Sequence, residues 1–262
     1  MSPIRKIGCG LSGEYRTGAP RGGYHPSTMR RDLILSSGFL AFARHVGFLR
    51  AVEECGLQAG AICGTSSGAL VASLWAAGMP AAEIAAELSI HPPVRWLRPA
   101  LTPWRGLFRI EPVVDRLRQL LPATFADLRR PLGVGAMDRA ETHHLLTEGP
   151  LPEAVAASCA IPIVFQPVSL AGRRLWDGGA VDRLGLAGWR AWRPVRSALV
   201  HWVEGTRGRE PHAGLAGLEI VRSPPSGASF FSLGNFAAQV EEARGATAAV
   251  LRDGAGAGSG GG

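Results

Sequence analysis

Apolar residues fall along this chain in two alternating rhythms. Short continuous runs at Leu33-Ile34-Leu35-Ser36, Leu57 to Cys63, Leu132 to Met137, Ala198 to Val203 and Leu218 to Val221 read as buried strands. Helical patterns lie between and after them. Phe39 to Glu54 puts Phe39, Phe42, Val46 and Leu49 on one face and closes at Gly56. Ala69 to Ala77 is apolar all round and stops at Gly78, ahead of Pro80. Helices are also predicted over Ala81 to Leu88, Glu111 to Leu121 and Asn235 to Leu251, with a short strand near His143 to Leu146. Strands alternating with helices predict an α/β fold: three layers, α/β/α, around a mostly parallel central sheet.

A chain of 262 residues with 46% hydrophobic content suits one such domain, and no run of 18 apolar residues suggests a membrane span. The ordered domain is expected over residues 32–252. Residues 1–31 carry Lys6 and five arginines against the single Glu14, with no apolar core of a secretory signal. They read as a disordered basic arm or an organellar transit segment. Residues 253–262 read as a Gly/Ala-rich flexible tail. Cys9, Cys55, Cys63 and Cys159 lack metal-ligand spacing and are expected to be reduced core thiols of an intracellular protein, cytoplasmic or peripheral to a membrane.

The net charge of +7 is carried almost wholly by arginine, since Lys6 is the only lysine. Such a surface attracts phosphate. No zinc-finger, RNP or basic-zipper pattern is present, so an anionic membrane surface is expected as a partner and nucleic acid is not.

Two short motifs carry the candidate chemistry. Gly64-Thr65-Ser66-Ser67-Gly68 has the G-x-S-x-G form that sets a serine on a sharp turn between a strand and a helix, and the flanking patterns supply that strand and helix. Asp177-Gly178-Gly179 places a carboxylate at a strand end, before glycines that admit close backbone approach. An ester carbonyl needs a nucleophile, a proton acceptor and donors for the oxyanion. Ser66 and Asp177 can fill the first two roles, provided Leu175, Trp176 and Ile161 make the site apolar enough to raise the basicity of an aspartate.

Further blocks extend the pattern. Leu33 to Gly38 leads to His45-Val46-Gly47-Phe48-Leu49, and Ala157-Ser158-Cys159-Ala160-Ile161-Pro162-Ile163-Val164-Phe165-Gln166-Pro167 has the form A-S-x-x-I-P-x-x-F-x-P. With the two motifs, these blocks resemble the patatin-like phospholipase family across nearly all of residues 32–252. The resemblance implies the three-layer fold and a lipid acyl hydrolase with a Ser66–Asp177 dyad, no catalytic histidine and no cofactor or metal.

The oxyanion loop departs from that pattern. Three glycines followed two residues later by Arg-Gly are replaced by Ser36-Ser37-Gly38 or, by spacing back from Gly47, by Ser37-Gly38-Phe39. Backbone amides do this work, so Ser37, Gly38, Phe39 and Ser67 are the candidate donors. Two alternatives stand beside the dyad: a binding protein that kept the fold while its oxyanion loop decayed, and an esterase triad of Ser66, Asp177 and His201. His212 lies in a Pro/Gly-rich loop. His143-His144 beside Glu141 read as a surface turn rather than a metal site. Pro92 to Arg109 interleaves Trp96, Trp104 and leucines with arginine, and Gly188 to Pro194 repeats that composition with Trp189 and Trp192. Both are expected to cover the Ser66 cleft, to dock on a bilayer or to pack as loops with snorkelling arginines.

Overall fold

The computed structural model describes residues 30–194, 196–205, 214–215 and 217–257. Its strands are β1 (Arg31–Leu35), β2 (Ala59–Thr65), β3 (Leu132–Asp138), β4 (His143–Leu146), β5 (Val168–Leu170), β6 (Arg173–Asp177), β7 (Ala198–Val203) and β8 (Glu219–Ser223). Helices are α1 (Phe42–Glu54), α2 (Ser67–Ala76), α3 (Ala81–Ser89), α4 (Glu111–Leu120), α5 (Leu151–Cys159), α6 (Leu186–Trp192) and α7 (Phe236–Ala257). Strands β3, β2, β1, β7 and β8 lie parallel in that order, β4 and β6 pair antiparallel with β3, and β5 pairs antiparallel with β6.

Side-chain alternation along the central strands feeds two cores. Leu33 and Leu35 of β1 point into the larger one, with Phe48 of α1 and Leu74 of α2. Ile34 points the opposite way, into a smaller core with Trp189 of α6 and Trp202 of β7. The sheet is therefore covered on both faces, as the alternating pattern predicts.

One register detail sets up the site. Strand β4 pairs with Val134 to Met137 along one flank of β3. A strand has two flanks, so β2, opposite Ile62 partner Leu132 through Gly135, and β6, opposite Ala136 through Asp138, share the other. They run toward each other. Thr65 stands against Gly135 and Asp177 against Ala136, so the two strand ends meet beside consecutive residues of β3.

Several expectations need correction. The predicted helix from Phe39 begins only at Phe42, because the chain turns through Leu40 with φ 50°. Helix α7 continues to Ala257, into the stretch expected as a tail. Helices α5 and α6 escaped the periodicity reading; their clearest local signals are a proline in the first turn of α5 and the left-handed Gly185 before α6. Cys63 is buried and Cys159 half-buried, but Cys55 is exposed and is no core thiol. His143 and His144 lie half-buried on β4 instead of in a surface turn, and His144 Nε2 bonds the Asp138 carboxylate at 2.8 Å. Trp189 is buried, donating from Nε1 to Asp32 at 3.0 Å, which removes it from any docking surface. Cys9, His212, residues 1–29 and residues 258–262 lie outside the described residues.

Candidate active site

Ser66 occupies the single residue between β2 and α2, with φ 56° and ψ −121°. That backbone costs a non-glycine residue energy and persists only where neighbours enforce it. Two contacts do so. The Ser66 N–H donates to Ser158 Oγ at 2.8 Å, and the Ser158 hydroxyl donates to the Gly135 carbonyl at 2.6 Å. The Cys159 thiol donates to the Ser66 carbonyl at 3.4 Å. The motif glycines answer to space: a Cβ on Gly64 would lie 2.4 Å from the Gly68 carbonyl oxygen, and one on Gly68 would lie 2.6 Å from the carbonyl oxygens of Leu35 and Ser36. Strand β1, the elbow and α2 thus press together too closely for any side chain at either position.

Asp177 closes β6 and is 6% exposed. Its Oδ1 accepts the Gly179 N–H at 2.8 Å. Burial pushes its carboxyl up from 3.8 to about 6, against the opposing pull of the Ser66 hydroxyl and the Gly179 amide. The serine and the carboxyl therefore face each other, as the meeting of β2 and β6 requires. Gly178 and Gly179 are close-approach positions too. A Cβ on Gly178 would lie 2.9 Å from the Ala136 nitrogen, and one on Gly179 would lie 2.5 Å from Ser37 Cβ, where the β1 loop crosses over the motif.

That loop divides the candidate oxyanion donors. The Ser37 N–H is already bonded to the Arg183 carbonyl at 2.8 Å, which removes it from the predicted set. The amides of Gly38 and Phe39 meet no acceptor among the described residues, nor does that of Ser67 in the first turn of α2. Arg183 is fully buried beneath the loop; its Nη2 donates to the Ser37 carbonyl at 3.1 Å and also to the Val203 carbonyl, and its guanidinium lies 4.3 Å from the Trp202 ring centre. A trans peptide sets C=O and N–H antiparallel, so drawing the Ser37 carbonyl toward Arg183 aims the Gly38 N–H the other way.

Histidine has no place in this cluster. His201 is buried on the α1 face of the sheet, its Nδ1 2.8 Å from His45 Nδ1 and its Nε2 2.9 Å from Ser223 Oγ. Both ring nitrogens are engaged away from Asp177, so the Ser66–Asp177–His201 triad is not formed. Burial lowers the pKa of His201 well below the ordinary value and that of His45 to about 3, leaving both rings neutral.

Ser66, Ser67 and Cys159 line a cavity of about 390 Å³, within the usual range for small-ligand sites, roughly 300–1,000 Å³. Its walls include Leu70, Leu88, Ile110, Leu117 and Phe165. The lining also carries charge, in an ion pair between Glu87 and Arg116 and in Arg95. Burial holds the Cys159 thiol protonated, so this cysteine is a wall of the cavity and not a second nucleophile. No group of three or more His, Cys, Asp or Glu side chains that could hold a metal occurs among the described residues.

In the sequence Ser158 stands out only as a motif letter, Cys159 as a motif letter and an expected core thiol, and Arg183 not at all. The signal for Ser158 was its place beside the I-P turn. Arg183 had none that spacing could reveal, because its partner Ser37 lies 146 positions away.

A model of the family described as patatin-like phospholipase matches residues 33–188, more than half of the chain. Uncharacterized NTE family proteins of Mycobacterium bovis and Mycobacterium tuberculosis are 34% identical over 165 residues, which is 62% of this chain and 46% of theirs. The match thus spans about half the length of these curated relatives. Among solved structures, VipD from Legionella pneumophila superposes with a TM-score of 0.55 at 13% identity, covering 86% of this chain and 67% of that one. The type III effector protein ExoU does so with 0.52 at 14%, covering 86% and 53%. At those identities the likeness is one of fold, and it agrees with the mixed sheet covered on both faces. With the family model matching the strands, elbow and aspartate motif just described, the chain belongs to the patatin-like phospholipase family, whose members are in general lipid acyl hydrolases.

Proposed function

We propose that this chain hydrolyses fatty-acyl esters, most naturally those of phospholipids, through Ser66 and Asp177 alone. One observation carries the reading. A buried carboxyl raised to about 6 faces the hydroxyl of a backbone-strained serine that lines an apolar cavity. A free aspartate is a weak base, whereas one with a pKa near 6 is ionised at neutral pH and accepts a proton more readily.

Ser66 Oγ attacks the ester carbonyl as its proton passes to Asp177. The oxyanion is received by the amides of Gly38, Phe39 and Ser67, fewer donors than the loop composition first offers. Collapse of the intermediate expels the alcohol, which takes the proton from Asp177, and leaves an acyl group on Ser66. Asp177 then deprotonates a water that attacks the acyl carbonyl, and the fatty acid departs as Ser66 regains its proton. The apolar walls fit an acyl chain, and the burial of Asp177 keeps its carboxyl raised.

Comparing a short-chain nitrophenyl ester with the native chain and Ser66→Ala tests this. The dyad predicts loss of hydrolysis to background in the variant. Equal rates would leave only a binding role for the fold.

A further inference from the structure

Seven large hydrophobic side chains are exposed among the described residues, and all belong to the cavity's rim or to loops tied to it. Phe39 and Ile90 line the cavity themselves, and Phe231 follows Phe230, which does. The others form a ridge. The chain leaves the cavity wall at Leu97 and returns to it at Ile110. Between those points Ala100 N–H bonds the Leu107 carbonyl at 2.9 Å and Arg109 N–H the Arg98 carbonyl at 2.8 Å. The strap is then bound to the next loop by Leu107 N–H to Ile163 O at 3.0 Å and Phe108 N–H to Val164 O at 2.8 Å.

This backbone is fixed, yet its apolar side chains face water: Leu101 is 94% exposed, Trp104 81% and Ile163 80%. Ile163 also has φ 72°, an outlier for a β-branched residue. Strain that presents an apolar side chain to solvent serves no packing purpose. The packed-loop reading of this strap holds for Trp96, which is half-buried and lines the cavity, and fails for Leu101 and Trp104. Charge completes the pattern. Arg95, Arg98, Arg105 and Arg109 are exposed on the same strap, which holds no acidic residue from Pro92 to Ile110; Glu111 just beyond it pairs with Arg109 at 3.4 Å.

We infer that this ridge seats the protein on an anionic phospholipid bilayer. Leu101, Trp104 and Ile163 enter the acyl region, and the arginines meet lipid phosphates. A lipid could then pass from the bilayer to Ser66 without crossing bulk water. Only that last point rests on the acyl-hydrolase reading; the docking does not.

The test uses the full chain carrying Ser66→Ala, so that no lipid is consumed, sedimented with vesicles of phosphatidylcholine alone or mixed with phosphatidylglycerol. Binding is expected on the mixed vesicles and about tenfold weaker on neutral ones or at high salt. Trp104→Ser with Ile163→Ser should weaken it about tenfold or more. Arg98→Gln with Arg105→Gln, neither of which lines the cavity, should remove the preference for anionic lipid. The same pairs in the native Ser66 background should hydrolyse a soluble ester within about twofold of the native rate, showing an intact fold and site. Vesicle binding that survives both pairs overturns the proposal. So does a monomer–dimer change on Trp104→Ser in size exclusion without loss of vesicle binding, which would make a second copy the occupant. Binding that persists when native protein hydrolyses no ester would keep the docking surface and end the hydrolase reading.

Discussion

Ser37 and Arg183 are joined twice, in opposite directions: the Ser37 N–H donates to the Arg183 carbonyl at 2.8 Å, and the Arg183 guanidinium donates back to the Ser37 carbonyl at 3.1 Å. The loop pattern of the family puts an arginine two residues after its glycines; here Ala41 stands at that place, and a buried arginine grips the loop from below. This grip orients the Gly38 amide. Arg183→Met should therefore lower kcat on a soluble ester by about tenfold or more with little change in KM, since losing one oxyanion donor outright costs roughly 3–4 kcal/mol. Arg183→Lys should recover part of kcat. A merely structural role would instead lower the melting temperature of both variants and leave kcat per folded molecule unchanged.

The pH profile should report Asp177. Its carboxyl must be ionised to accept the Ser66 proton, so kcat/KM should climb about tenfold per pH unit at acid pH and level off above about 6. With both buried histidines held neutral by burial, no second rise belongs between pH 6 and 8. A profile governed by a group titrating near 7 would point to a histidine base instead.

The same carboxyl should cost stability. In the fold its pKa is raised from 3.8 to about 6, so the folded chain holds this proton more tightly than the unfolded one. Its relative stabilisation is full below 3.8 and is lost as pH rises through about 6. Above that the ionised, buried group is a net burden on the order of 3 kcal/mol. Asp177→Asn should abolish hydrolysis and raise the melting temperature at pH 8, with little gain at pH 4. Calorimetry at the two pH values checks both the sign and the window.

Ser158 should matter without touching the reacting atoms. Its hydroxyl accepts from Ser66 N–H and donates to Gly135, holding the strained elbow against β3. Ser158→Ala should lower kcat about tenfold through a looser elbow, whereas Ser158→Thr should retain more of it if the methyl is accommodated. His201→Asn should keep hydrolysis within a few-fold of native once folding is confirmed by circular dichroism, because His201 bonds His45 and Ser223 rather than Asp177.

Much of this was legible in the chain. Continuous apolar runs located the parallel strands because strands buried on both faces need no polar alternation. The paired glycines around Ser66 announced an elbow because no side chain fits there. Other features were hidden for physical reasons. Helix α5 is buried almost all round and carries a single charged residue, Glu153, so it has no polar face to mark its period. Whether His201 joined the dyad depended on which face of β7 it occupies, and an all-apolar strand gives no signal for that. The engagement of the Ser37 amide depended on a loop 146 residues distant, beyond the reach of local pattern.

The account turns on an acyl group carried by Ser66. Mass spectrometry of the protein quenched during turnover of a slow ester measures this directly. The dyad predicts an acyl adduct on the peptide containing Ser66, accumulating where water attack is slow and absent in both Ser66→Ala and Asp177→Asn. Steady hydrolysis with no adduct on that peptide, or an adduct on another residue such as Cys159, would contradict it.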